Sequence, residues 1–120
     1  MIIPATSRTP EVAFSEQQCS IKGECYPEDI SEFSIPIMEN IKLGVGEADA
    51  YKVEIELYYF NSSSAKFFFD FFDFLDESAA GNKEISVIWR YREDDDTMQD
   101  AGEEFQEDLG NLIFKLEQLD

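Results

Sequence analysis

Two periodicities alternate along this chain. Short runs switch between apolar and polar residues at every position, as half-buried strands do, and longer stretches repeat apolar residues every three or four positions, as helices do. Glu11 to Phe14 and Cys19 to Tyr26 are strand-like and flank the polar turn Ser15-Glu16-Gln17-Gln18, which predicts a hairpin. Tyr26-Pro27-Glu28-Asp29 ends the second strand, and residues 1–8 read as a loose N-terminal tail. Asp29 followed by Glu32 has capping-box spacing, and Ile30, Phe33, Ile37, Met38 and Ile41 recur at helical intervals. A helix is therefore expected to about Leu43, with Pro36 predicting a kink or a late start. Gly44-Val45-Gly46-Glu47-Ala48-Asp49 reads as a loop.

Lys52 to Phe60 alternates and then turns wholly apolar, the pattern of a central strand with a buried end. A second helix is expected from Ser63 to about Ala79, stopped by Gly81-Asn82. Glu84 to Tyr91 is another strand. Asp94-Asp95-Asp96 leads into a short helix, with Asp96 and Gln99 as a capping pair, and Asn111 to Leu116 is a last strand. The order β-β-α-β-α-β-α-β predicts an α/β (mixed α+β) fold over residues 9–120. Helical crossovers between strands require at least one parallel pair.

Composition sharpens this picture. At 120 residues the chain suits one domain, and 43% hydrophobic with 14% aromatic residues is too apolar for a disordered chain despite a net charge of −18. Twenty-seven acids against nine bases argue against nucleic acid and against anionic membrane surfaces as partners. The first residues lack a basic stretch and a long apolar run, so no signal peptide is expected, and no run is long enough for a membrane helix. Cys19 and Cys25 on one extended strand would lie roughly 20 Å apart, too far for a disulfide. Both are expected reduced and at least half-buried, in keeping with a cytoplasmic location.

Catalytic chemistry finds little purchase. The chain has no histidine, no Gly-rich phosphate loop and no nucleophile–base set, so no catalytic residue, metal ligand or cofactor site is assigned. Asp94-Asp95-Asp96 could attract Mg²⁺ but lacks EF-hand spacing and reads as a solvated loop. The informative segment is Tyr58-Tyr59-Phe60-Asn61-Ser62-Ser63-Ser64-Ala65-Lys66. A strand ends at Asn61, and three hydroxyls precede a helix in which Phe67, Phe68, Phe69, Phe71, Phe72, Phe74 and Leu75 cannot all face one side. Asn61 or one of the serines reads as an ordinary helix cap, and the same position tolerates a phosphate. The two readings are compatible. Either the helix packs on several sides, or one or two of the phenylalanines are part-exposed beside the serines as a contact patch.

Thr9-Pro10-Glu11-Val12, Gly23-Glu24-Cys25-Tyr26-Pro27-Glu28, Tyr59 to Lys66, and Trp89-Arg90-Tyr91 followed by Asp94-Asp95-Asp96 and Gly102-Glu103-Glu104-Phe105 resemble the SiaC family of bacterial regulatory phosphoproteins. The resemblance runs from about Thr9 to Leu116. It implies a STAS-like fold, similar to anti-sigma-factor antagonists. It also implies a partner switch: a protein kinase phosphorylates the hydroxyl after the asparagine, and a PP2C-type phosphatase reverses this. The unphosphorylated form then activates a diguanylate cyclase, raising cyclic di-GMP and promoting biofilm. By position the acceptor would be Ser62, where the family commonly has threonine, with Ser63 and Ser64 as alternates. Asn61, Ser62, Ser63, Lys66 and Phe69 are the expected partner contacts. The alternative within the same site is an anti-sigma-factor antagonist that acts on a kinase-like anti-sigma factor.

Overall fold

The computed structural model describes residues 1–119. Six strands form one sheet in chain order: β1 (Ile2–Ile3), β2 (Glu11–Ser15), β3 (Gln18–Cys25), β4 (Ala50–Phe60), β5 (Glu84–Arg92) and β6 (Ile113–Leu119). The first two pairings are antiparallel and the other three are parallel. Three helices make the parallel crossovers: α1 (Ile30–Glu47), α2 (Ser62–Ala79) and α3 (Asp96–Glu107). Each crossover advances one strand in the same direction, so right-handed connections bring all three helices to one face.

Burial matches that arrangement. Val53, Ile55 and Leu57 of β4, and Ile85, Val87 and Trp89 of β5, are buried beneath the helices. The intervening positions line an open face of mixed charge. Across it Lys22, Glu56, Arg90 and Glu117 stand in register on four neighbouring strands. Lys22–Glu56 and Arg90–Glu117 are ion pairs at 3.6 and 3.0 Å. Exposed pairs of this kind add little stability, but the alternation of sign matches the strand register.

Several expectations are corrected. Residues 1–8 are not wholly a tail, because Ile2 and Ile3 pair with Ala13 and Val12 as an edge strand. Two residues are too short a run for any periodicity to show. The expected loop at 44–49 is the last turn of α1, which continues to Glu47. Val45 extends the buried stripe Phe33, Ile37 and Ile41, and this burial outweighs the poor helix propensity of two glycines. Lys83 closes the turn, its Nζ donating to Val45 O and Ala48 O at 2.7 and 2.6 Å. The helix also begins at Ile30 and passes through Pro36, so no late start occurs. Asp95, rather than Asp96, caps α3 by accepting from Met98 N–H at 3.0 Å. The last strand runs from Ile113 to Leu119, two residues later at its start and three at its end than expected.

The β4 strand carries a bulge that sets the geometry of its carboxyl end. Gly23 pairs with Leu57, but Glu24 pairs with Tyr59, so Tyr58 is an extra residue on β4. The insertion reverses the side-chain alternation. Phe60 therefore packs inward, with its ring 6.2 Å from those of Phe68 and Trp89, while Tyr59 is left 48% exposed.

At the centre of the core Trp89 meets Phe105 at 5.3 Å and donates from Nε1 to Met98 O at 2.9 Å. Gly102 of α3 lies against it so closely that a Cβ there would stand 2.5 Å from Trp89 Cδ1. Gly102→Ala should therefore lower stability by about 1–3 kcal/mol, read as a fall in the urea midpoint with an unchanged slope.

Candidate functional site

The site lies where β4 becomes α2, at the carboxyl end of the parallel strands. Asn61 is extended (φ −92°, ψ 179°) and caps the helix, its Oδ1 accepting from Ser64 N–H at 3.0 Å and from Ser63 Oγ at 3.2 Å. Its own N–H donates to Cys25 O at 3.2 Å, and its carbonyl accepts from Ala65 N–H at 2.9 Å. The cap thereby ties α2 to the end of β3. The amides of Ser62 and Ser63 have no intrahelical partner, which leaves the positive end of the helix dipole open beside the Ser62 hydroxyl.

The three serines differ sharply in environment. Ser62 and Ser63 are exposed. Ser64, kept as an alternate acceptor from sequence, is fully buried, and a kinase cannot reach it in the folded chain. Its position, two residues after Ser62, turns it toward the sheet while Ser62 faces out. Ser64 Oγ faces the Cys25 thiol but makes no hydrogen bond of ordinary geometry. Burial pushes the Cys25 thiol up to about 11 and the Cys19 thiol up to about 12, so both are protonated and unreactive at neutral pH.

Ser62, Lys66 and Phe69 succeed one another at intervals of four and three along the outward side of α2, so the fold brings them together. Lys66 is exposed. Phe69 is half-buried, its ring 4.6 Å from that of Phe105, so only part of it is available to a partner. Ser63 sits toward α1 and lines a shallow groove with Ile30, Ser34, Met38, Lys66 and Phe67. Beside the cap, Tyr59 meets Tyr26 edge-on at 5.6 Å. Tyr26 is held in turn by its hydroxyl, which donates to Ser7 O at 2.8 Å. Tyr26 reads in the sequence only as the end of a strand, and the exposure of Tyr59 is not legible there, because the bulge that exposes it leaves no mark in an all-aromatic run.

The acidic loop does other work. Asp95 is a helix cap, and among the described residues no three of His, Cys, Asp and Glu converge as metal ligands. No helix among the described residues is long and apolar enough to cross a membrane.

The family model of SiaC family regulatory phosphoproteins matches residues 3–119. The chain belongs to the SiaC family. An uncharacterised protein of Pseudomonas aeruginosa (strain UCBPP-PA14) is 28% identical over 109 residues, covering 88% of this chain and 86% of that protein. Among solved structures, the chain is similar to SiaC in the crystal structure of the Pseudomonas aeruginosa diguanylate cyclase SiaD with its activator SiaC. There the identity is 25%, the TM-score 0.94 and the coverage 99% of both chains. It is also similar to apo-SiaC of Pseudomonas aeruginosa, at 27% identity and a TM-score of 0.88, over 98% of this chain and 97% of that one. These likenesses agree with the mixed α/β architecture and with the SiaC resemblance.

Two outcomes are expected from this geometry. Asn61→Ala should cost about 1 kcal/mol of stability in urea unfolding, through loss of the cap. The buried thiols set an alkaline limit. They stay neutral in the fold, whereas in the unfolded chain they ionise from their ordinary value of 9.0. Stability should therefore hold below pH 9 and fall as pH rises toward about 11, the folded value of Cys25. Melting temperature against pH should show this decline, and it should be shallower in Cys25→Ala.

Proposed function

We propose that this chain is a non-catalytic partner-switching regulator whose unphosphorylated form binds and activates a diguanylate cyclase in the cytoplasm. The observation that carries the reading is the exposure of Ser62 in the first turn of α2, next to the Asn61 cap and above a buried Ser64. A kinase transfers the γ-phosphoryl group of a nucleoside triphosphate to Ser62 Oγ. The hydroxyl proton passes to the kinase's base and the nucleoside diphosphate leaves. A PP2C-type phosphatase hydrolyses the ester and restores the hydroxyl. The lack of histidine and the protonated, buried thiols support a role in binding rather than in catalysis.

The fold tolerates the modification because the helix dipole and free amides favour an anion there. A partner seated over Ser62 does not tolerate it, because roughly −1.5 to −2 charges must then be desolvated. A penalty of about 2.8 kcal/mol weakens binding about a hundredfold. Asn61, Ser63, Lys66 and Phe69 frame the same surface. The whole-chain likeness to a SiaC seen with its cyclase favours a cyclase over an anti-sigma factor as the effector.

The test uses purified protein and the cyclase of the same cell. Ser62→Ala should bind and activate it as the native chain does. Ser62→Asp, and protein carrying phosphoserine at position 62, should lose about a hundredfold in affinity with no fall in melting temperature. Native-like binding by the phosphoserine protein would rule the switch out. Capture of a kinase-like anti-sigma factor instead of a cyclase would replace the effector.

A further inference from the structure

In a chain of twenty-seven acids and nine bases, a free base is an anomaly. Four bases form ion pairs: Arg8 with Glu28, Lys22 with Glu56, Lys52 with Glu54, and Arg90 with Glu54 and Glu117. Lys83 is bonded to backbone carbonyls at the end of α1. Lys42 and Arg92 lie over the rings of Phe74 and Tyr58. Among the described residues only Lys66 and Lys115 make none of these contacts. Lys115 projects from the open face of β6, away from the helices. Lys66 is the only base of α2, which otherwise carries Asp70, Asp73, Asp76 and Glu77.

Lys66 is unpaired although Asp70 lies four residues after it. On a helix, a base that precedes its acid by four positions is the weaker orientation, and an acid that precedes its base by four is the stronger one. Ser62 precedes Lys66 by four and shares its exposed side. A phosphate on Ser62 would complete the favourable arrangement, with the helix dipole aligned in the same sense.

We infer that Lys66 is the positioning residue of the switch: it is held free in the unphosphorylated protein and is captured by phosphoserine 62 once the phosphate is added. The inference rests on the reading of Ser62 as the acceptor and adds a second effect to it. The modification does not merely place a negative charge in the interface. It also withdraws the one cation that α2 offers, so an acidic or carbonyl group of the partner that faces Lys66 loses its contact in the same event. The pairing further keeps the phosphate doubly ionised near neutral pH, where a free phosphoserine, with its second pKa near 6, still holds some of its second proton.

The test is a phosphorus-31 NMR pH titration of the chain with phosphoserine incorporated at position 62 during translation, alongside Lys66→Gln and Lys66→Arg. The second phosphate pKa should be raised by about half a unit in Lys66→Gln, restored in Lys66→Arg, and the difference should collapse in high salt. A phosphate pKa that is the same in all three proteins overturns the inference. This readout needs neither kinase nor cyclase, so it can fail while the binding loss on phosphorylation stands. Conversely, a shift with no loss of cyclase binding would sink the switch and leave the pairing. In the unphosphorylated protein, Lys66→Gln should weaken binding to the cyclase about two- to tenfold with an unchanged melting temperature. Unchanged affinity would remove the partner contact from the inference.

Discussion

Trp89 is the point at which the sheet, α2 and α3 meet. Its ring stands within 6.5 Å of Phe60, Phe68, Phe72 and Phe105, and its indole N–H holds a carbonyl at the start of α3. An aromatic of this size on the central part of β5 demands large partners above it, and α2 provides Phe68 and Phe72. It equally demands that α3 give way, which Gly102 does. A domain of 120 residues has a small core, and filling it with broad rings buries much area per residue. The same packing sets the rotation of α2. With Phe68, Phe71, Phe72 and Leu75 turned to the sheet, Ser62 and Lys66 face outward, and Phe69 lies at the boundary against Phe105.

The segment around Ser62 inherits its geometry from that rotation and from the β4 bulge. One extra residue at Tyr58 turns Phe60 into the aromatic cluster and brings Asn61 to the end of β3, where Cys25 receives its N–H. Packing thus fixes the cap from below, and a hydroxyl at position 62 meets solvent without any motion of the chain.

Charge is distributed in keeping with this division. Five of the nine bases, Lys22, Lys52, Arg90, Arg92 and Lys115, stand on the open face of the sheet, so most of the net negative charge belongs to the helical side and the connecting loops. Ser62 thus stands on an acidic surface, and the nearest base along its helix is Lys66. The open face balances its charges across the strands. Glu54 illustrates this: a hydrogen bond from Lys52, with Arg90 beside it, holds its carboxyl below the usual range.

Periodicity and cap chemistry are local, and they were legible. The hairpin, the three helices and the central strand all arise from residues within a turn or two of each other. The segment around Ser62 stood out for the same reason, as a strand stop, hydroxyls and a helix start in one short run. What needed the tertiary structure is whatever depends on contacts distant in sequence. The last turn of α1 exists because Lys83 and Tyr51 reach it from other elements. β1 exists because β2 offers an edge. The burial of Ser64, against the exposure of Ser62 and Ser63, depends on how α2 is rotated over Trp89. The sequence alone determined the three helices, the longer strands and the strand-to-helix junction at Ser62, because hydrogen bonds and side-chain spacing within an element are set by its own residues. Only the folded chain decided that Ser64 is buried while Ser62 and Ser63 face solvent, and that Lys66 and Lys115 are left without a partner among the described residues, because burial and pairing belong to the packed assembly of elements.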